Sequence, residues 1–203
     1  MSSSRVVLAS GSPRRLELLR SIGVEPKVVI PDVDESVDVG EDAVSYVRRV
    51  AAAKLDAVLH SLDSAAVGTI VVAADTTVEV DGEILAKPVD DADAMRMLML
   101  LRGRSHRVHT GLAVAVAEPG CRGVEWEGDV EVVTATVTFR SVPIPELIAY
   151  VDSGEPRDKA GAYAIQGGAA GFVDHVEGDP NAVIGLPLAR LAGIAAALGS
   201  PLA

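Results

Sequence analysis

Asp75-Thr76-Thr77-Val78-Glu79-Val80-Asp81-Gly82-Glu83-Ile84-Leu85-Ala86-Lys87-Pro88 reads as a β-hairpin that sets a carboxylate beside a lysine. Val80 and Glu83 flank an Asp-Gly pair, the strongest short-range signal for a two-residue turn. A turn there fixes the register: Asp75 falls opposite Pro88 and Thr76 opposite Lys87. The apolar run Thr69-Ile70-Val71-Val72-Ala73-Ala74 reads as a buried strand that delivers Asp75 to its end. An acid so placed suits a metal ion or a water.

A second segment is complementary to that acid. Val6-Val7-Leu8-Ala9 is a short buried-strand run, followed by Ser10-Gly11-Ser12-Pro13-Arg14-Arg15 and by Leu16, Leu19 and Ile22 at helical spacing. Ser12 is a good N-cap, Pro13 suits the first helical position, and Gly23 stands where a left-handed C-terminal cap belongs. The start of such a helix presents main-chain N–H groups and a positive dipole end, both favourable to an anion. The pattern also fits an ordinary capped helix with a solvated basic first turn. Arginine there opposes the dipole by roughly 0.3–1 kcal/mol per exposed charge, so two in succession point to a task other than stability. Their guanidinium forks match phosphate oxygens. Neither a P-loop nor a dinucleotide-type glycine fingerprint is present.

The 203 residues suffice for one good core, and 49% hydrophobic with 3% aromatic content makes that core Val, Ala, Leu and Ile. One domain over 1–203, with two lobes, is expected. No run approaches a membrane span and the apolar start is too short for a secretory signal, so the expected location is the cytoplasm, with no membrane partner. The net charge of -11 argues against nonspecific nucleic-acid binding. It permits a small phosphate ligand, because charges are screened beyond about 8 Å. One close pair is still worth about 4 kcal/mol at an effective dielectric of 20. Cys121 is the only cysteine, which excludes an internal disulfide, and its neighbours Gly120, Arg122 and Gly123 read as a loop tip.

Along the chain, Lys27 to Ile30 is a strand candidate and Pro31-Asp32-Val33-Asp34-Glu35 an acidic loop. Ala43 to His60 is a helix carrying Tyr46, Val47, Val50, Lys54 and Leu55. A helix capped by Asp90 or Asp91 runs through Met95, Met97 and Leu101, with Met99 also assigned to the core. Val108 to Ala117 and Val130 to Val142 are long β-type runs joined by a Gly-rich hairpin around Cys121 and Trp126. Pro143 to Val151 is helical, Phe172 to Val176 extended, and Leu188 to Leu198 helical. Hairpins within this alternation give an α/β fold with a mixed sheet and flanking helices. His106 and His109 stand three apart in extended chain, where side chains face opposite ways, so structural hydrogen bonding is expected of them rather than a metal site.

Leu8 to Arg15, Ala74-Asp75-Thr76, Lys87-Pro88, Gly103-Arg104-Ser105-His106-Arg107-Val108-His109-Thr110-Gly111, Asp158 to Gly167 and Val183-Ile184-Gly185-Leu186-Pro187-Leu188 together resemble, in order, the signature blocks of the Maf family. These are nucleoside triphosphate pyrophosphatases related in fold to the inosine-triphosphatase-like enzymes. The resemblance implies a twisted mixed sheet with flanking helices and two lobes around a cleft. It also implies hydrolysis of a nucleoside triphosphate between its α and β phosphates, with Mg²⁺ or Mn²⁺ as cofactor.

On that pattern Asp75 accepts the proton, positions the water and shares the metal with Glu35, since hard divalent ions prefer oxygen ligands. Ser10, Arg14, Arg15, Lys54 and Lys87 would hold the phosphates. By itself, Lys54 reads as a solvent-facing helix residue. Gln166 offers a donor and an acceptor that match a uracil or thymine edge. Arg14, Thr76 and Gln166 together resemble the subgroup that prefers dTTP and UTP. A 7-methyl-GTP or broad-range pyrophosphatase, and a non-catalytic regulator of cell division, are the alternatives. A homodimer is expected from the resemblance and from the commonness of twofold assemblies.

Overall fold

The computed structural model describes residues 5–62, 65–120 and 123–202, so Cys121 lies outside the described residues. The chain order is β1 (Val6–Ala9), α1 (Pro13–Ser21), β2 (Lys27–Val29), α2 (Ala43–Ser61), β3 (Ile70–Val80), β4 (Glu83–Leu85) and α3 (Asp91–Leu101). It continues with β5 (Ser105–Gly120), β6 (Gly123–Phe139), α4 (Ile144–Asp152), three 3-10 turns between 155 and 172, β7 (Val173–Glu177), α5 (Pro180–Ile184) and α6 (Leu188–Ala197). The sheet is seven-stranded, in the order β2-β1-β3-β5-β6-β7, with β4 on β3. It is mixed: β1 runs parallel to β2 and β3, whereas β3–β4 and β6–β7 are antiparallel. Among the described residues no helix is long and apolar enough to cross a membrane.

The hairpin register follows the sequence. Val78 pairs with Leu85, Glu79 with Ile84 and Val80 with Glu83. Asp81 and Gly82 both have positive φ, 53° and 84°, the backbone that a tight turn of this kind demands and that Asp-Gly supplies most cheaply. Two expectations fail here. The ladder stops at Leu85, so Lys87 never pairs with Thr76. Asp75 also sits within β3 rather than at its end. The physical reason is that β3 carries two ladders in succession: β1 pairs with it only as far as Ala73, and β4 takes over from Val78.

The chain forms two compact units: residues 1–75, 110–133 and 185–203, and residues 76–109 and 134–184. The first buries Val7, Ala9, Val71, Ala73, Ala113 and Ala115 of the sheet with Ala51, Leu55 and Val58 of α2. Its strands are apolar on consecutive residues because both faces are covered. In the second unit, Leu98 and Leu101 of α3 and Leu147 of α4 pack with Val108, Val137 and Phe139 of the sheet. Met97 joins this core, whereas Met99 is exposed. Helical positions two apart diverge by about 200° in azimuth, so Met95, Met97 and Met99 cannot share one face.

Both histidines of the β5 block are structural. His109 is buried, with Nδ1 2.9 Å from the Thr134 hydroxyl. His106 is buried with Nε2 2.8 Å from the Tyr163 hydroxyl, while its Nδ1 has no hydrogen-bond partner. Burial pushes the His106 pKa down to about 4. An unfolded histidine binds its proton near pH 6.5, so as pH falls from 6.5 to 4 the unfolded chain gains a proton that the folded chain refuses. Stability therefore falls with pH through that window, by about 3 kcal/mol in total from this ring. Urea unfolding at pH 7 and 4.5 should show His106→Gln losing correspondingly less stability than the parent. Equal losses would refute the assignment.

Candidate active site

The site is built where parallel strands end. β1 and β3 pair up to Ala9 and Ala73. Ser10 follows immediately on one strand and Asp75 two residues later on the other. The chain leaves β1 through α1 to reach β2 on one side, then returns through α2 to β3 on the other. The carboxyl ends of strands at such a reversal are the usual place for a ligand in α/β sheets.

Asp75 is buried, and the lysine beside it is Lys54 of α2, not Lys87. The Lys54 ammonium donates to Asp75 Oδ1 at 2.7 Å and lies 2.8 Å from Glu35 Oε1. One cation thus bridges two carboxylates, and Lys54 is 6% exposed, against its reading as a solvent-facing residue. The inversion has a clear cause. Lys54 follows Tyr46 and Val50 at intervals of four, so it lies on the buried stripe of α2, and only ion pairing makes that position tolerable for a charge.

α1 begins after Ser12 as the sequence requires, and Gly23 closes it with φ 80°. Ser12 occupies the cap position without a side-chain cap bond; its N–H instead donates to Ser10 Oγ at 3.1 Å. The same hydroxyl accepts from Arg15 Nη1 at 3.1 Å, and Arg15 Nε donates to the Gly185 carbonyl at 2.9 Å. Arg15 is buried. Burial lowers its pKa first of all, the neighbouring Arg14 adds to that, and the carboxylates of Asp75 and Glu35 oppose it. Three charged side chains therefore lie within electrostatic reach of Arg15: Arg14 beside it in the first turn of α1, Asp75 of β3 and Glu35 of the acidic loop.

Two residues that sequence reasoning did not single out complete the group. The Tyr46 hydroxyl donates to the Glu35 carbonyl at 3.0 Å. Burial, reinforced by Asp75 and Glu35, raises its pKa and keeps it a donor. The Gly185 carbonyl is the other, and no side-chain pattern could have signalled a main-chain acceptor 170 residues from its donor. Tyr46 was legible only as a core residue of the α2 stripe.

Among the described residues no cluster of three or more His, Cys, Asp and Glu side chains is arranged around a metal position. Asp75 and Glu35 nevertheless already share one cation. Two carboxylates suit Mg²⁺ or Mn²⁺, which commonly complete an octahedron with water and phosphate oxygens. The residues fit that cofactor.

Thr76, Lys87 and Gln166 belong to the second unit. Thr76 is half-buried on β3, whereas Lys87 and Gln166 are exposed. The turn bearing Gln166 is held by Glu155, whose carboxylate accepts from the Gly168 N–H at 3.0 Å and the Tyr150 hydroxyl at 3.2 Å. A Cβ on Gly167 would lie 1.8 Å from Glu155 Oε1, and one on Gly161, at φ +67°, 2.7 Å from the Val78 side chain. Those glycines permit close approach within the protein itself.

Similarity to named sequences is extensive. The chain is 43% identical over 202 residues to a protein of Chromobacterium violaceum named dTTP/UTP pyrophosphatase, covering 98% of this chain and 96% of that one. Proteins of the same name from Anaeromyxobacter sp. strain Fw109-5 and Vibrio cholerae are 49% and 44% identical. The first alignment covers 98% of this chain and 91% of the relative, the second 93% and 95%. Residues 5–198, which include every side chain of the site above, match the family described as Maf-like protein, and the chain belongs to the Maf family.

Proposed function

We propose that this chain is a nucleoside triphosphate pyrophosphatase that converts dTTP and UTP to the monophosphate and diphosphate. The observation that carries the proposal is the buried ammonium of Lys54 shared by Asp75 and Glu35 beside Arg15 and Ser10. The names of relatives alike over nearly the whole chain support the substrate class.

In this reading residues 1–203 act as one catalytic domain. The first turn of α1, with Ser10, Arg14 and Arg15, takes phosphate oxygens through main-chain N–H groups and guanidinium forks. Asp75 orients a water in line with the α phosphorus and accepts its proton as the bond to the bridging oxygen breaks and diphosphate departs. Lys54 and Lys87 offset the charge that gathers on the phosphoryl oxygens. Asp75 and Glu35 would hold Mg²⁺ or Mn²⁺, which supplies charge neutralisation to substrate and leaving group.

Gln166 is assigned to reading the base, through paired donor and acceptor on a pyrimidine edge. The enzyme would then work in the cytoplasm, as a homodimer, keeping aberrant pyrimidine nucleotides out of nucleic acid. The test is a panel of dTTP, UTP, CTP, GTP and 7-methyl-GTP with Mn²⁺ or Mg²⁺ and separation of products. Diphosphate release led by dTTP and UTP is expected. Orthophosphate release, or 7-methyl-GTP as best substrate, would contradict it. Gln166→Glu is expected to lower kcat/KM for dTTP and UTP by about 10²-fold more than for other nucleotides, because it places a carboxylate against a base acceptor. Equal loss on every nucleotide would make Gln166 structural.

A further inference from the structure

Residues 30–42 form no helix or strand, yet they carry Glu35. The segment is laid against one stripe of α2. Tyr46 donates to the Glu35 carbonyl at 3.0 Å, and Arg49 Nη2 donates to the next carbonyl, that of Ser36, at 2.8 Å. The same guanidinium forks the Glu41 carboxylate with two contacts of 2.7 Å and reaches Asp38 at 3.4 Å. Tyr46 and Arg49 are neighbours three apart on α2, and Lys54 stands eight residues beyond Tyr46 on the same helix, so the residues that grip the loop and the lysine that meets its carboxylate share one rigid support.

An exposed glutamate on irregular chain is a poor metal ligand unless its backbone is already fixed. Ordering one residue costs about 1–2 kcal/mol in backbone entropy, and a glutamate side chain up to about 2 more. Here the 35–36 and 36–37 peptides are both held before any ion arrives. Resting on the reading of Asp75 and Glu35 as the pair that binds the ion, we propose that Tyr46 and Arg49 are positioning residues that pre-order the acidic loop and thereby set the affinity for the divalent metal. They touch neither ion nor nucleotide; they act through the main chain of Glu35 and Ser36.

The test is Mn²⁺ titration followed by electron paramagnetic resonance of the free ion, on the full chain without nucleotide, for the parent, Tyr46→Phe, Arg49→Gln, Arg48→Gln and Glu35→Gln. Tyr46→Phe should weaken Mn²⁺ binding about fivefold and Arg49→Gln about tenfold, the loss expected from one neutral and one charged hydrogen-bonded anchor. Amide exchange over residues 35–41 should quicken in both, and kcat of Arg49→Gln at saturating Mn²⁺ should stay within about twofold of the parent. Arg48, which faces away from the loop and donates to the Val130 carbonyl at 2.6 Å, should leave affinity unchanged when replaced. If Tyr46→Phe does not fold, Arg49→Gln carries the test, since Arg49 is only half-buried. Parent-like Mn²⁺ affinity in the folded variants, or an equal loss in Arg48→Gln, overturns the inference while leaving the proposed function standing. Unchanged affinity in Glu35→Gln removes its foundation as well.

Discussion

Asp75→Asn is expected to lower diphosphate release from dTTP by about 10²–10⁴-fold in kcat and kcat/KM alike, with little change in nucleotide affinity. Asparagine keeps the shape and one oxygen of aspartate but cannot accept the proton of an attacking water. The equal fall in both constants marks an interaction made only in the transition state. Stability offers a second readout. Asp75 is buried against Lys54, and removing one member of a buried pair usually costs about 3–5 kcal/mol because a charge is left uncompensated. Here Lys54 retains Glu35 at 2.8 Å, so the loss should be smaller and the variant should fold. Steady-state kinetics with a diphosphate-detecting assay, alongside thermal unfolding, separates the two effects. Undiminished turnover in a folded Asp75→Asn would remove Asp75 from the chemistry.

Gly111→Ala should be strongly destabilising. A Cβ there would lie 2.1 Å from the Val47 carbonyl oxygen, 2.6 Å from its carbon and 3.2 Å from the Ala51 Cβ. Two of those atoms belong to the main chain of α2, which cannot yield as a side-chain tip would. The helix must lift from β5 or the strand must bend, at about 3 kcal/mol or more, near the upper end for overpacking. For a chain of this length that lowers the melting temperature by roughly 10 °C. Since α2 carries both Tyr46 and Lys54, activity should fall with stability. Gly193→Ala supplies the contrast: it lies in α6 with nothing within 4 Å of the added methyl, and should gain about 1 kcal/mol from helix propensity. Urea unfolding of both variants decides the matter; a Gly111→Ala chain as stable as its parent would show that the helix and strand are not in this contact.

These two residues also mark how far the amino-acid sequence can be read. The hairpin register was legible because Asp81-Gly82 dictates a turn geometry, and a period of two carries that register along both strands. α2 was legible because its apolar residues recur at helical spacing, and α1 because Pro13 and Gly23 mark its ends. Position alone misled where a second partner intervened. Lys87 was assigned a strand neighbour that β4 is too short to reach, and the lysine beside Asp75 comes from a helix 21 residues earlier in the chain. The family resemblance puts Lys54 at the phosphates, but its residue type alone reads outward, because a charge on an apolar stripe is tolerable only if distant carboxylates meet it, and those contacts are tertiary. Gly111 belonged to a block identified by resemblance; its physical reason, a helix carbonyl against the strand, exists only in the folded chain.

The most direct measurement is a crystal structure of the wild-type protein with Mn²⁺ and a dTTP analogue whose α–β bridge resists hydrolysis. The triphosphate is predicted to lie against the first turn of α1, contacting Ser10 and Arg15, with the ion held by Asp75 and Glu35 and Lys54 turned toward phosphate oxygen. A tail bound elsewhere, with Lys54 still joining the two carboxylates and no ion beside them, would contradict the assignment of this group as the catalytic centre.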